Sequence, residues 1–240
     1  IVTVATGLKG HGTTVFLPEG DAGFYDNLGI NSFQPSVYEA WNACDVLFSM
    51  EEDKVEYYRN LTSSRVEFVH VPIDGPMEIG ALFAPMQEKG HFILVYGDNN
   101  CNGPLTALSV AKRAGYPVRT ICIGPQTAEQ CMRLFGVQVF GCTSKLSQYV
   151  FLQALARSFV HLYPTRNIGS ARQPISCAVV GTPCIGTFYS HTQRRLFPEL
   201  VVDPFDVSRM YALVKRLESD FVFYRTVTSE AFARAVAFYG

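Results

Sequence analysis

The chain is 240 residues long, 48 % hydrophobic and 17 % charged, with a formal net charge of −1. That length admits one large domain or two small ones, and the apolar content suits a well-buried α/β protein and argues against a disordered one. Lys and Arg (20) nearly balance Asp and Glu (21) and are scattered, so nothing supports a broad polyanion-binding face or a nucleic-acid partner. Seven cysteines (44, 101, 122, 131, 142, 177 and 184) lie mostly in apolar runs and never as Cys-x-x-Cys. They read as small buried residues of a reducing, cytoplasmic chain, not as a disulfide framework or a zinc site, and no motif calls for a metal or another cofactor. Asn60-Leu61-Thr62 is formally a glycosylation sequon, which the cysteine usage outweighs. No run is long and apolar enough to span a membrane, and no signal peptide is visible.

In chain order, Gly10 reads as a helix C-cap and Thr13 to Leu17 as a β-branched and aromatic strand. A turn-rich loop (Glu19 to Ser32) precedes a helix from Pro35 to Ala43, then a buried strand from Asp45 to Met50. Glu51 to Leu61 is a helix whose early acids match its dipole, with Tyr57 and Tyr58 packing on its face, and Arg65 to Val71 is the next strand. This β-α-β-α-β order predicts a parallel sheet with crossover helices. Gly75 to Gly90 is weakly periodic and reads as a linker, with 77–91 dividing the chain.

Strand and helix alternate again beyond it: Phe92 to Tyr96, Thr106 to Gly115, Val118 to Ile123, Thr127 to Phe135, Val137 to Phe140, and Ser144 to about Ala156. Phe159 to Tyr163 is then a strand, Pro164 to Arg172 a polar loop, Pro174 to Val180 a helix, and Cys184 to Gly186 a buried strand. His161 reads as a satisfied core histidine, and Gly181 and Pro183 end the helix. A loop feeding a helix N-terminus behind a strand is an anion site, because free N–H groups and the dipole point at the ligand. A βαβ unit without a ligand fits the same pattern equally well. Asp206 is the expected N-cap of a helix from Val207 to Leu217, and the aromatic-rich segment 221–240 is helical.

The stretch from Phe159 to Thr187 resembles the donor-binding segment of GT-B glycosyltransferases, above all the large retaining nucleotide-sugar family (glycosyltransferase family 4-like). Pro164-Thr165 matches its Pro-Ser, Gly169 the glycine after its first glutamate, and Gly181-Thr182-Pro183 the end of its Glu-Ala-Met-Ala-x-Gly-x-Pro run. Ile168 and Ser176 stand where that family has its two glutamates. Near the start, Ala5 to His11 followed by Thr13-Thr14-Val15-Phe16 resembles the family's first helix end and second strand, and Val71 to Asp74 resembles its exit from the first domain. After Tyr96-Gly97, Asp98 occupies the place of the family's diphosphate-binding arginine and Asn102-Gly103 that of its Lys-Gly.

The resemblance implies two Rossmann-like α/β domains in a GT-B arrangement, the N-terminal one incomplete. It places the acceptor-side domain at 1–76, the linker at 77–91, the donor-binding domain at 92–220, and at 221–240 a helical segment returning to the first domain. It implies transfer of a sugar, a hexosyl group, from a nucleotide-sugar in the interdomain cleft to an acceptor hydroxyl of a small molecule, glycan or protein. The donor-binding set it implies is Gly97, Asn102, Gly103, Lys145, Arg166, Gly169, Arg172, Gln173 and Ser176, with Arg166 and Arg172 substituting for the lost cations. The same arginines also read as exposed loop residues, and no catalytic residue is assigned. The coordinated loss of both glutamates, the arginine and the lysine supports an alternative from a second class of function, a catalytically inactive GT-B-like binding or structural subunit with a partner protein. A nucleotide-dependent epimerase is disfavoured, since no Gly-x-Gly-x-x-Gly is present.

Overall fold

A computed structural model of the chain describes residues 13–16, 35–70, 75–83, 89–96, 104–121, 125–136, 139–140, 148–166 and 171–240. They form two compact units, each with its own parallel sheet.

The first unit contains β1 (Val15–Phe16), α1 (Pro35–Ala43), β2 (Val46–Ser49), α2 (Val55–Arg59) and β3 (Arg65–Phe68). The strands lie in the order β1-β2-β3, with Val46 paired to Val15 on one side and Arg65 on the other. Trp41, Leu47, Tyr58 and Val66 make its core, Trp41 meeting Tyr58 edge-on at 5.4 Å between ring centroids. Each such side chain contributes about 1.5–3 kcal/mol on leaving water, which lets so small a sheet hold together. The helix expected over 51–61 starts instead as a 3-10 turn (Glu52–Lys54) before α2, with the Ser49 hydroxyl donating to the Glu51 carbonyl at 2.8 Å.

The second unit holds α3 (Pro76–Phe83), β4 (Gly90–Tyr96), α4 (Pro104–Ala114), β5 (Val118–Ile121), α5 (Pro125–Phe135), β6 (Val139–Phe140) and α6 (Gln148–Arg157). It continues through β7 (Ser158–Tyr163), α7 (Arg172–Val179), β8 (Cys184–Thr187), α8 (His191–Leu196), β9 (Val201–Val202), α9 (Val207–Ser219) and α10 (Phe221–Tyr239). The strand order is β6-β5-β4-β7-β8-β9, every pair parallel. Counted from β4 this is 3-2-1-4-5-6, the doubly wound Rossmann order, and it reverses between β4 and β7. The apolar run Phe92 to Val95 is buried along its length, as a central parallel strand covered on both faces requires.

Local chemistry sets the boundaries. Gly115, Gly136 and Gly181 end α4, α5 and α7 at φ of 79°, 64° and 67°. A Cβ at Gly181 would meet nothing within 4 Å, so the left-handed backbone, not space, selects glycine there. The Asp206 and Asp220 carboxylates accept from the backbone N–H of Arg209 (2.8 Å) and Phe223 (2.9 Å), capping α9 and α10.

One expectation needs revision. The described residues of 77–91, 77–83 and 89–91, carry most of α3 and the start of β4 instead of an irregular linker, and they group with the second unit. A helix of high mean hydropathy and few polar residues shows weak periodicity, which hid it. In α10, Val227, Ala231 and Ala235 are buried, and the helix packs on α3, α7, α8 and α9.

Candidate functional site

In a doubly wound sheet, ligands bind outside the carboxyl ends of the strands where the order reverses, here beyond β4 and β7. At that edge of the second unit the described residues are 164–166 after β7, the first turn of α7, and the turns after β8 and β9. Gly97, Asn102, Gly103, Lys145 and Gly169 of the implied donor set lie outside the described residues. Arg166, Arg172, Gln173 and Ser176 lie within them.

α7 begins at Arg172, two residues earlier than the sequence suggests. Its N-cap is Ala171, extended at φ −82° and ψ 142°, whose own side chain makes no cap hydrogen bond. The first N–H groups of a helix have no intrahelical partner, so this end offers donors and the positive pole of the dipole. Pro174, in the first turn, has no N–H to offer and is buried, leaving Arg172 and Gln173 to present theirs. Along α7, Ile175, Cys177, Ala178 and Val179 face the core, whereas Arg172 is exposed and Gln173 and Ser176 are half-buried. Spacings of three and four residues put these three on one face. Ser176, where the resembled family has a carboxylate, thus brings a hydroxyl to the same face. Arg166 is exposed, with its guanidinium carbon 5.9 Å from the ring centroid of the exposed Phe205.

Beneath this edge lies a buried polar network. The Thr187 hydroxyl donates to the Thr165 carbonyl at 2.7 Å, joining the end of β8 to the residue after β7. The Thr192 hydroxyl donates to the Ala171 carbonyl at 2.7 Å, fixing the residue that precedes α7, and lies 3.1 Å from the Ser190 hydroxyl. Ser190 caps α8 by accepting from the Gln193 N–H at 3.3 Å, while the Gln193 amide nitrogen donates to the Cys184 carbonyl at 2.8 Å. A Cβ on Gly186 would lie 2.6 Å from the Gln193 side-chain oxygen, so that close approach requires glycine. The signal was present in Ser190-x-x-Gln193, the spacing of a capping box.

The polar groups of the opposite edge are closed off by bonds within the protein. The Lys89 ammonium donates to the Ala156 carbonyl (2.7 Å), the Thr182 hydroxyl (2.9 Å) and the Val180 carbonyl (3.5 Å), at the ends of α6 and α7. Burial lowers its pKa from the usual lysine value to about 8. A groove of about 560 Å³ opens there between α3, α7 and α10, lined by Met77, Gly80, Lys89, Gly181, Arg225 and Phe232 among others. Of the implied donor residues, the described four (Arg166, Arg172, Gln173 and Ser176) do not border it. Among the described residues, no helix is long and apolar enough to cross a membrane.

No protein-family model matches the sequence, and no curated protein sequence matches it. Solved structures do match. The UDP-forming alpha,alpha-trehalose-phosphate synthase from Burkholderia xenovorans, in complex with glucose-6-phosphate, superposes with a TM-score of 0.77 at 10 % identity, over 99 % of this chain and 68 % of its own. The E. coli trehalose-6-phosphate structure bound with UDP-2-fluoro glucose gives 0.73 at 13 % identity, over 98 % of this chain and 67 % of that one. The N-terminal domain of trehalose-6-phosphate phosphatase from Candida albicans gives 0.73 at 11 % identity, over 100 % and 65 %. Likeness of this extent establishes the fold, and the fold of this chain is that of the GT-B glycosyltransferases.

Proposed function

We propose that the chain is a glycosyltransferase that moves a hexosyl group from a nucleotide-sugar to an acceptor hydroxyl, with its donor seated at the carboxyl edge of the second unit's sheet. The observation that carries this reading is the first turn of α7, which lies beyond the order reversal, has no cap hydrogen bond from the Ala171 side chain and has exposed Arg172 in its first position. A departing nucleoside diphosphate gathers negative charge as the glycosidic bond breaks. The N–H groups of Arg172 and Gln173, the helix dipole and the guanidinium of Arg172 meet that charge, with Arg166 as a second cation from the loop after β7. A guanidinium fits phosphate oxygens in a fork, so two arginines can take over the task of the arginine and lysine that Asp98 and Asn102 displace. The Ser176 hydroxyl on the same face suits a hydrogen bond to the sugar or phosphate. The neighbours' UDP and UDP-sugar chemistry makes a UDP-hexose the first donor to try.

Calorimetric titration with UDP, GDP, ADP and TDP sugars, with and without Mg²⁺, tests the reading. The expected result is saturable binding of one nucleotide class, weakened roughly tenfold to a hundredfold by Arg172→Ala, the worth of one charged hydrogen bond. Absence of binding by all of them to the folded chain overturns the transferase reading and leaves the inactive binding subunit.

A further inference from the structure

His161, Cys177 and Cys184 come together in the interior of the second unit, with the imidazole nitrogen and the two sulfurs all within 4.8 Å of one another. All three residues are fully buried, and both cysteines are free thiols. The fold makes the meeting unavoidable. His161 on β7 is paired in register with Leu94 on β4 and with Cys184 on β8, so the side chains of 161 and 184 stand side by side on one face of the sheet. Cys177 comes down onto them from the buried side of α7.

The tautomer of His161 is fixed by its neighbour. Its Nδ1 lies 3.1 Å from the Leu94 carbonyl, which can only accept, so Nδ1 carries the proton and Nε2 carries the lone pair. That Nε2 is buried and has no hydrogen-bond partner. An acceptor sealed away from water without a partner costs about 1–3 kcal/mol, an odd feature at the centre of an otherwise apolar strand. An imidazole held through Nδ1–H by a backbone carbonyl, with Nε2 unpaired and two sulfurs close to the ring, is the arrangement of a metal-ligating histidine.

We propose that His161, Cys177 and Cys184 bind a single thiophilic closed-shell cation, Zn²⁺ or Cu⁺, which cross-links β7, α7 and β8. Two sulfurs at about 2.3 Å from one ion lie about 3.8 Å apart in tetrahedral geometry and at most about 4.6 Å apart, so atoms within 4.8 Å of one another close onto an ion with small side-chain shifts. Sulfur and imidazole ligands select these ions over Mg²⁺ or Ca²⁺, which prefer oxygen. As each metal–sulfur bond forms, the thiol gives its proton to solvent, and the ion captures its ligands as the chain folds around it. A coordinated thiol is deprotonated outright. Two thiolates neutralise Zn²⁺, which suits an apolar interior. Three ligands match the low coordination number of Cu⁺.

The test uses the full chain without a polyhistidine tag, purified directly and also refolded under reductant with Zn²⁺ alone or Cu⁺ alone. Metal per chain is counted by mass spectrometry, and Co²⁺ serves as a spectroscopic substitute. The expected result is about one ion per chain, a thiolate-to-cobalt charge-transfer band, and a higher Tm with the ion that fits. Cys177→Ala/Cys184→Ala loses both the ion and the band. His161→Asn, which retains a donor for the Leu94 carbonyl, loses at least about tenfold in affinity. A folded wild-type chain that takes up neither ion, one that joins Cys177 to Cys184 as a disulfide instead, or a variant that keeps the ion would each overturn the proposal.

Discussion

The two ends of the six-stranded sheet have opposite chemistry. At the amino end, polar groups are used up inside the protein: Lys89 binds the ends of α6 and α7, and the Ser158 and Thr182 hydroxyls both donate to the Leu155 carbonyl at 2.7 Å. At the carboxyl end the hydroxyls of Thr187 and Thr192 hold the backbone carbonyls of Thr165 and Ala171. The N–H groups opening α7 and the faces of Arg172, Gln173 and Ser176 are left toward solvent. One end carries stability and the other presents donors to a ligand. The division follows from helix polarity, because crossover helices in a parallel sheet bring their negative ends to the amino edge, where a lysine is welcome, and their positive ends to the carboxyl edge.

That contrast can be broken from either side. Lys89→Met should have the largest effect on stability, about 1.5–3 kcal/mol in denaturant unfolding, since it strips a charged donor from buried carbonyls. Nucleotide-sugar binding to the folded variant should be unchanged. Thr192→Val, isosteric but without the hydroxyl, should cost about 1 kcal/mol and, unlike Lys89→Met, should also weaken nucleotide-sugar binding, because it frees the carbonyl of Ala171 at the start of α7. Arg172→Ala should leave stability within about 0.5 kcal/mol, as exposed positions do, while lowering binding.

The smallest effect expected is a pH effect away from both ends. The Lys215 ammonium, then the Tyr116 hydroxyl at 2.9 Å, hold the Glu218 carboxyl below the usual carboxylate range. A depressed folded pKa contributes stability above the unfolded value, near 4.3, that is lost as pH falls through the folded value. Tyr116→Phe should therefore flatten the loss of stability below about pH 4.3, measured by urea unfolding at a series of pH values.

Much of the scaffold could be read in advance because its signals are local. Gly115, Gly136 and Gly181 stop helices at left-handed φ, Asp206 caps the helix it precedes, and alternating apolar strands and helices dictate a parallel sheet. Helix α3 was missed because its residues are apolar nearly all round. Lys89 was illegible for another reason, since its partners Ala156 and Thr182 lie 67 and 93 residues along the chain. His161 was half legible: its burial and its Nδ1 bond fit a core histidine, but the open Nε2 depends on the register of three strands. For the site, the face of α7 follows from helical spacing once its start is known. The start itself depends on Thr192 reaching back 21 residues to Ala171.

Amide hydrogen exchange with and without a saturating UDP-hexose tests the division of labour most directly. The account predicts slowed exchange at 165–166 and across the first turn of α7, with no change at 180–182 on the closed edge. Protection at the Lys89 edge, or none at the start of α7 while the nucleotide-sugar is bound, would contradict it.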